Sequence, residues 1–252
     1  MTDEQTPKGE AGGVAMVAQG QTLAALINLI LVLADNKYFL GRRLSEWAPG
    51  GPSLESAVAA AALSQEELGH ARALYPLLDE MPVTEAPSPL QRGDERGRMY
   101  AVSFLERPLP TWPHVVAALS LVDPALTVMF DALRTCRFED LRRRAARIPG
   151  EEEFHRKYAD GRVRDLARTD GGRAELQARV DELLPEMLCW FGPDGEPGVE
   201  RLKADGLLSQ DSSELRASFL AGVSPVLEAS GIELREEMPW DRWNRLQRRL
   251  SR

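Results

Sequence analysis

The sequence predicts an all-α fold: a four-helix bundle with a long crossover and additional C-terminal helices. Three observations predict it. Apolar residues recur at steps of three and four along four long segments. No segment alternates apolar and polar residues with a period of two. Residues 82–110, with prolines at 82, 87, 89, 108 and 110, separate the first two segments from the next two, as a crossover does in a bundle.

The elements are expected as follows. The first thirteen residues, MTDEQTPKGEAGG, are polar and glycine-rich and read as a disordered tail. Residues 14–252 read as one helical domain. Helix 1 covers about 17–47, with the stripe Leu23, Leu26, Ile30, Leu33, Lys37, Leu40 and Leu44, and Pro49-Gly50-Gly51-Pro52 stops it. Ser53 caps helix 2, which runs to about Asp79 on the stripe Leu63, Glu67, His70, Leu74, Leu77. Met99–Leu105 reads equally as a short helix or an extended piece. Helix 3, about 111–135, carries Val116, Leu119, Asp123, Leu126, Phe130 and Leu133, and Pro124 predicts a kink. Helix 4, about 138–168, carries Leu141, Ala145, Ile148, Glu152, His155, Ala159, Val163 and Leu166, and Pro149-Gly150 predicts a kink or a split. The extension 173–252 holds helices at about 173–190, 199–205 and 213–230, the last bent by Pro225, and a basic tail 239–250 that reads as helical.

Composition narrows the function. With 252 residues and 43% hydrophobic content, a sizeable core is available. A net charge of −8 argues against nucleic acid and against an anionic membrane surface. The apolar run Ala24–Ala34 is too short to span a bilayer. Two cysteines, Cys136 and Cys189, make no disulfide framework and read as small buried hydrophobes. With no signal peptide visible, a cytoplasmic location is expected.

Each of the four long stripes is interrupted by polar groups: Lys37; Glu67 with His70; Asp123; Glu152 with His155. Burying a lone carboxylate or imidazole costs several kcal/mol, roughly, unless it is paired or bound to a metal. Glu67 follows Lys37 by 30 residues and Glu152 follows Asp123 by 29, which suggests two helix hairpins related by a pseudo-twofold axis. Glu-x-x-His on two helices, with one acid from each of two others, is the ligand pattern of ferritin-like di-iron carboxylate bundles. Carboxylates are hard donors that bridge two irons, and imidazole adds a neutral ligand while leaving positions open. Away from the stripes, His114 reads as a surface or capping residue. Glu66, Glu151 and Glu153 read as solvated, and Arg142–Arg144 as a solvated or partner-facing surface.

From about Asp35 onward the chain resembles the PaaA/PaaC family, the large subunits of the multicomponent phenylacetyl-CoA epoxidase. LSQEELGHARALY and GEEEFHRKYADG resemble the two iron-binding helices of its catalytic subunit, LVDPALTVMF the segment supplying the third acid, and LCWFGPDGEP its distal part. LGRRLSEWAPGGPSLE instead resembles the non-catalytic structural subunit. The resemblance implies a ferritin-like fold and oxygen activation at iron (one or two ions, with manganese as a substitute). It also implies an aromatic acyl-CoA substrate, a flavin/iron-sulfur reductase and a homologous oxygenase subunit or self-association. Glu67, His70, Asp123, Glu152 and His155 match ligand positions. Lys37 stands where the first glutamate is expected.

That departure divides the functional reading. Four carboxylates balance two divalent ions, whereas three carboxylates and an ammonium leave −2, which one divalent ion neutralises. Three arrangements follow. The ammonium stands in one metal's place, hydrogen-bonded to Glu67; or Lys37 turns away and two metals bind; or no metal binds and the lysine pairs the acids of a degenerate site. The third gives a structural subunit; the retained ligands favour an oxygenase subunit modestly, Lys37 and the signature around Trp47 favour a scaffold, and the long crossover and C-terminal extension put a storage or ferroxidase role behind both.

Overall fold

The computed structural model describes residues 20–79, 81 and 99–251. The expected tail 1–13, the start of helix 1 before Gly20 and most of the proline-rich connection lie outside these residues. The described residues are mostly helical, and their only sheet is one two-residue β-ladder, so the all-α class holds.

Helix α1, Gln21–Ser45, is the centre of the molecule. From Leu29 to Gly41 nearly every residue is buried, so the helix is enclosed on all sides rather than along one stripe. Helix α2, Leu54–Leu74, lies along it. Ser53 caps α2 as expected, its hydroxyl accepting from Ser56 N at 3.1 Å. The two helices touch most closely at Gly41, where an added Cβ would meet Leu68 Cγ at 2.9 Å and Ser64 O at 3.0 Å. Helix 2 was expected to continue to Asp79. It stops one turn earlier, and Pro76, which has no N–H to donate, opens the separate short helix α3, Pro76–Asp79.

The stretch after residue 98 is extended and then makes a 3₁₀ turn at Ser103–Glu106. It is tied to α1 by two buried polar residues beside Lys37. Asp35 accepts from Tyr100 N at 2.8 Å and from the Tyr75 hydroxyl at 2.7 Å. Asn36 accepts from Val102 N at 3.0 Å.

The third long segment is α4, Trp112–Ala117, a π-turn at Ala118–Val122, and α5, Asp123–Ala132. The Asp123 N–H reaches back to Ala118 O, a five-residue step. The wide turn sits where Pro124 cannot donate, so the expected irregularity is a π-turn immediately before Asp123. The fourth segment is split. Helix α6, Glu139–Ala145, ends before α7, Ile148–Ala167, and Pro149 lies in the first turn of α7, where a missing N–H is harmless. The break therefore falls ahead of Pro149, at Ala146-Arg147.

Helix α8, Asp170–Trp190, covers α4 and α7 and ends before Gly192, whose φ is 85°. Helix α9, Pro197–Ala204, packs on α1, and α10, Ser212–Ala229, with an Asp211/Glu214 capping box, packs on α5 and α7. The tail is not helical. It forms a 3₁₀ turn, Trp240–Arg242, and the antiparallel strands β1, Trp243–Asn244, and β2, Arg249–Leu250. Asn244 Oδ1 accepts from Gln247 N at 3.0 Å, and Arg248 takes a left-handed φ of 48°, which together turn the chain back.

Helices of a length and composition that could cross a membrane are present at Gln21–Ser45 and Trp112–Ala132, with 67% and 78% of the apolar window buried inside the protein. Their apolar sides are the core.

Candidate metal centre

Lys37, Glu67, His70, Asp123, Glu152 and His155 converge from α1, α2, α5 and α7 on one buried point. Lys37 is fully buried, and its Nζ donates to Glu67 Oε1 at 3.0 Å, Asp123 Oδ1 at 2.7 Å and Glu152 Oε1 at 2.6 Å. The expectation of a bond to Glu67 is met and extended: the ammonium takes one oxygen from every carboxylate in the cluster.

The second oxygen of each carboxylate is not bonded by it. Glu67 Oε2 and Glu152 Oε2 are buried without a hydrogen-bond partner. Glu152 Oε2 is 2.7 Å from His155 Nδ1 but lacks hydrogen-bond geometry, while Asp123 Oδ2 is 3.2 Å from the same nitrogen. Donor atoms of Glu67, Asp123, Glu152 and His155 all lie within 4.8 Å of one another.

The two halves answer each other. His70 Nδ1 is 3.0 Å from Glu152 Oε1, and His155 Nδ1 is 3.1 Å from Glu67 Oε1. The outer nitrogens are paired crosswise as well: His70 Nε2 with Glu151 Oε2 at 2.9 Å, and His155 Nε2 with Glu66 Oε2 at 2.5 Å. Glu66 and Glu151 were expected to be simply solvated. They are half exposed, yet each holds the histidine of the opposite motif, the usual role of an outer partner that orients a ligating imidazole. The signal was in the sequence, since in both motifs an acid directly precedes the first glutamate. Glu153, paired with Lys157 on the surface, and the exposed Arg142 and Arg143 are as expected. His114, expected at the surface or as a cap, is partly buried: it meets Thr111 Oγ1 at 2.7 Å and Arg179 Nη1 at 3.0 Å and stacks on Phe104. Cys136 and Cys189 are buried, and burial pushes their thiols up to about 11 and about 12.

Charge explains why the cluster is stable as it stands. Burial alone would neutralise Lys37, but Asp123, Glu152 and Glu67 outweigh it and hold the ammonium well above its usual range. Burial together with the Glu152 charge pushes Asp123 up to about 7, against the pull of Lys37. Glu152 is held low despite burial by Lys37 and the two histidines. Burial opposes protonation of His155, but its carboxylate neighbours Asp123, Glu152 and Glu67 raise it. His70 is raised against burial mainly by Glu152.

The donor set does not fit a dinuclear centre. Three carboxylates replace four, and the ammonium already bonds one oxygen of each. One divalent ion is a different matter. Two orphaned carboxylate oxygens, Asp123 Oδ2 and His155 Nδ1 are left outside the hydrogen bonds of Lys37, a hard three-oxygen, one-nitrogen set.

A cavity of about 330 Å³ between α5, α7 and α10 is lined in part by Asp123 and Glu152 of the cluster. Its other walls are mostly apolar, including Leu119, Val128 and Val223, with Ser120 Oγ buried and unpartnered nearby.

The model of the PaaA_PaaC family, phenylacetic acid catabolic protein, matches residues 15–249, nearly the whole chain, and the chain belongs to that family. No curated protein matches it.

Proposed function

We propose that this member of the PaaA_PaaC family is an architectural subunit of a multicomponent oxygenase, its core site half closed by Lys37. The observation that carries the reading is the ammonium bonded to Glu67, Asp123 and Glu152 at once, in the middle of the ligand cluster. An amine in that place supplies the charge of a cation without its redox chemistry. With the ammonium there, the cluster lacks the fourth carboxylate that would balance two divalent irons. The remaining donors suit one divalent ion, iron or manganese by their chemistry, and that ion brings the three carboxylates and the ammonium to neutrality. When bound, it supplies a fixed charge and a Lewis acid. Lys37 then fixes one oxygen of each carboxylate, and Glu66 and Glu151 fix the histidine rings.

The complementary reading is a catalytic oxygenase subunit acting on an aromatic acyl-CoA, with electrons from a flavin/iron-sulfur reductase. The cavity of about 330 Å³ at Asp123 and Glu152 favours it, being large enough for a single aromatic ring. Oxygen consumption separates the two. The purified chain, iron and a reductase are mixed with phenylacetyl-CoA, with and without a catalytic homologue. The architectural reading expects no substrate-dependent oxygen uptake by the chain alone and a stable complex with the homologue on gel filtration. Coupled turnover by the chain alone would overturn it.

A further inference from the structure

A second cavity, of about 470 Å³, lies apart from the ion cluster, between the start of α1, α9 and the C-terminal hairpin. Its lining includes the apolar Leu29, Met129, Val199 and Leu202. It also includes a basic group, Arg201, Arg245 and Arg248, with a single carboxylate, Glu196.

The basic group is built rather than incidental. Arg248 is 5% exposed; its Nε donates to Trp190 O at 2.9 Å, Nη1 stands 3.8 Å from Glu196 Oε2, and Nη2 is buried with no hydrogen-bond partner. Its φ of 48° is the only positive value among the described non-glycine residues, a conformation held only where surroundings impose it. Burial lowers its guanidinium to about 10, which leaves it charged at neutral pH. Glu196 is already engaged. It accepts from Val199 N at 2.8 Å and lies 2.7 Å from Arg245 Nε. Arg201 has no ion pair or side-chain hydrogen bond among the described residues. Three guanidinium groups against one carboxylate leave the cavity with two uncompensated positive charges.

We propose that this cavity binds a small phosphate monoester, its dianionic head on Arg201, Arg245 and Arg248 and its apolar remainder against Leu29, Met129, Val199 and Leu202. A carboxylate would leave one guanidinium unmatched. A phosphate dianion balances both charges and presents the three acceptor oxygens that arginine forks engage. The site is independent of the reading of the ion cluster.

The test is calorimetric titration of the full chain with phenyl phosphate, inorganic phosphate and benzoate. Phenyl phosphate is expected to bind, with inorganic phosphate and benzoate each about tenfold weaker or more, since one lacks the apolar part and the other a charge. Arg201→Gln is expected to weaken phenyl phosphate about tenfold without changing the melting temperature, because that side chain has no hydrogen-bond or ion-pair partner among the described residues. No heat with phenyl phosphate at about 10 mM would overturn the proposal, being weaker than the millimolar range. So would benzoate binding equally well, or Arg201→Gln leaving the affinity unchanged.

Discussion

Lys37 shows how one residue type redirects a site. An ammonium fully enclosed by protein is tolerated only because three carboxylates surround it, and removing it strands them. Lys37→Met is expected to destabilise the metal-free protein by about 3–5 kcal/mol, the range for breaking a buried ion pair, measured by urea unfolding in chelator. The same cluster sets a pH dependence. His155 binds its proton more tightly folded than unfolded, so its contribution is complete below the ordinary value of 6.5 and drains as pH rises toward the raised folded value. Asp123, raised from 3.8 to about 7, acts in the same direction between those values. Glu152, held low, works the other way, contributing above 4.5 and losing it only in acid. Metal-free protein should therefore lose about 1 kcal/mol or more per pH unit between pH 7 and 9. A flat or rising profile in chelator would contradict this. Replacing the outer partner of His155, by Glu66→Ala, should weaken divalent-metal affinity about 10–100-fold in a competition assay with a chelating dye.

At the level of elements, the sequence made the four stripes and their polar interruptions legible because period and burial coincide there. What escaped it were features without a periodic signature. The π-turn before Asp123 keeps the same apolar residues inward, so the stripe reads as an ordinary helix with a proline in it. Pro149 suits both a kink and a first turn, and only packing shows that the chain breaks at Ala146-Arg147. The basic tail 239–250 reads as helical, whereas the Asn244 side chain and the left-handed Arg248 make a turn. Gly41 offers the sharpest test of element packing. Gly41→Ala would drive a methyl group against Leu68 and the Ser64 carbonyl, pushing α1 from α2 just where Lys37 and Glu67 must meet. The expected loss is about 1–3 kcal/mol, seen as a fall in melting temperature of several degrees.

Across the whole molecule, two helix pairs fold so that the acid and histidine of one motif are clasped by those of the other. The near-equal spacings of 30 and 29 residues foreshadowed this pseudo-symmetry, and the crosswise pairs Glu66–His155 and Glu151–His70 display it in side chains. The halves differ chiefly at one pair of positions, where Lys37 answers Asp123. The most direct test of that asymmetry is metal content after anaerobic loading with ferrous iron and desalting, measured by mass spectrometry of the wild type and Lys37→Glu. The account predicts one equivalent in the wild type and two in Lys37→Glu. Two equivalents in the wild type would mean that the lysine does not hold a cation's place.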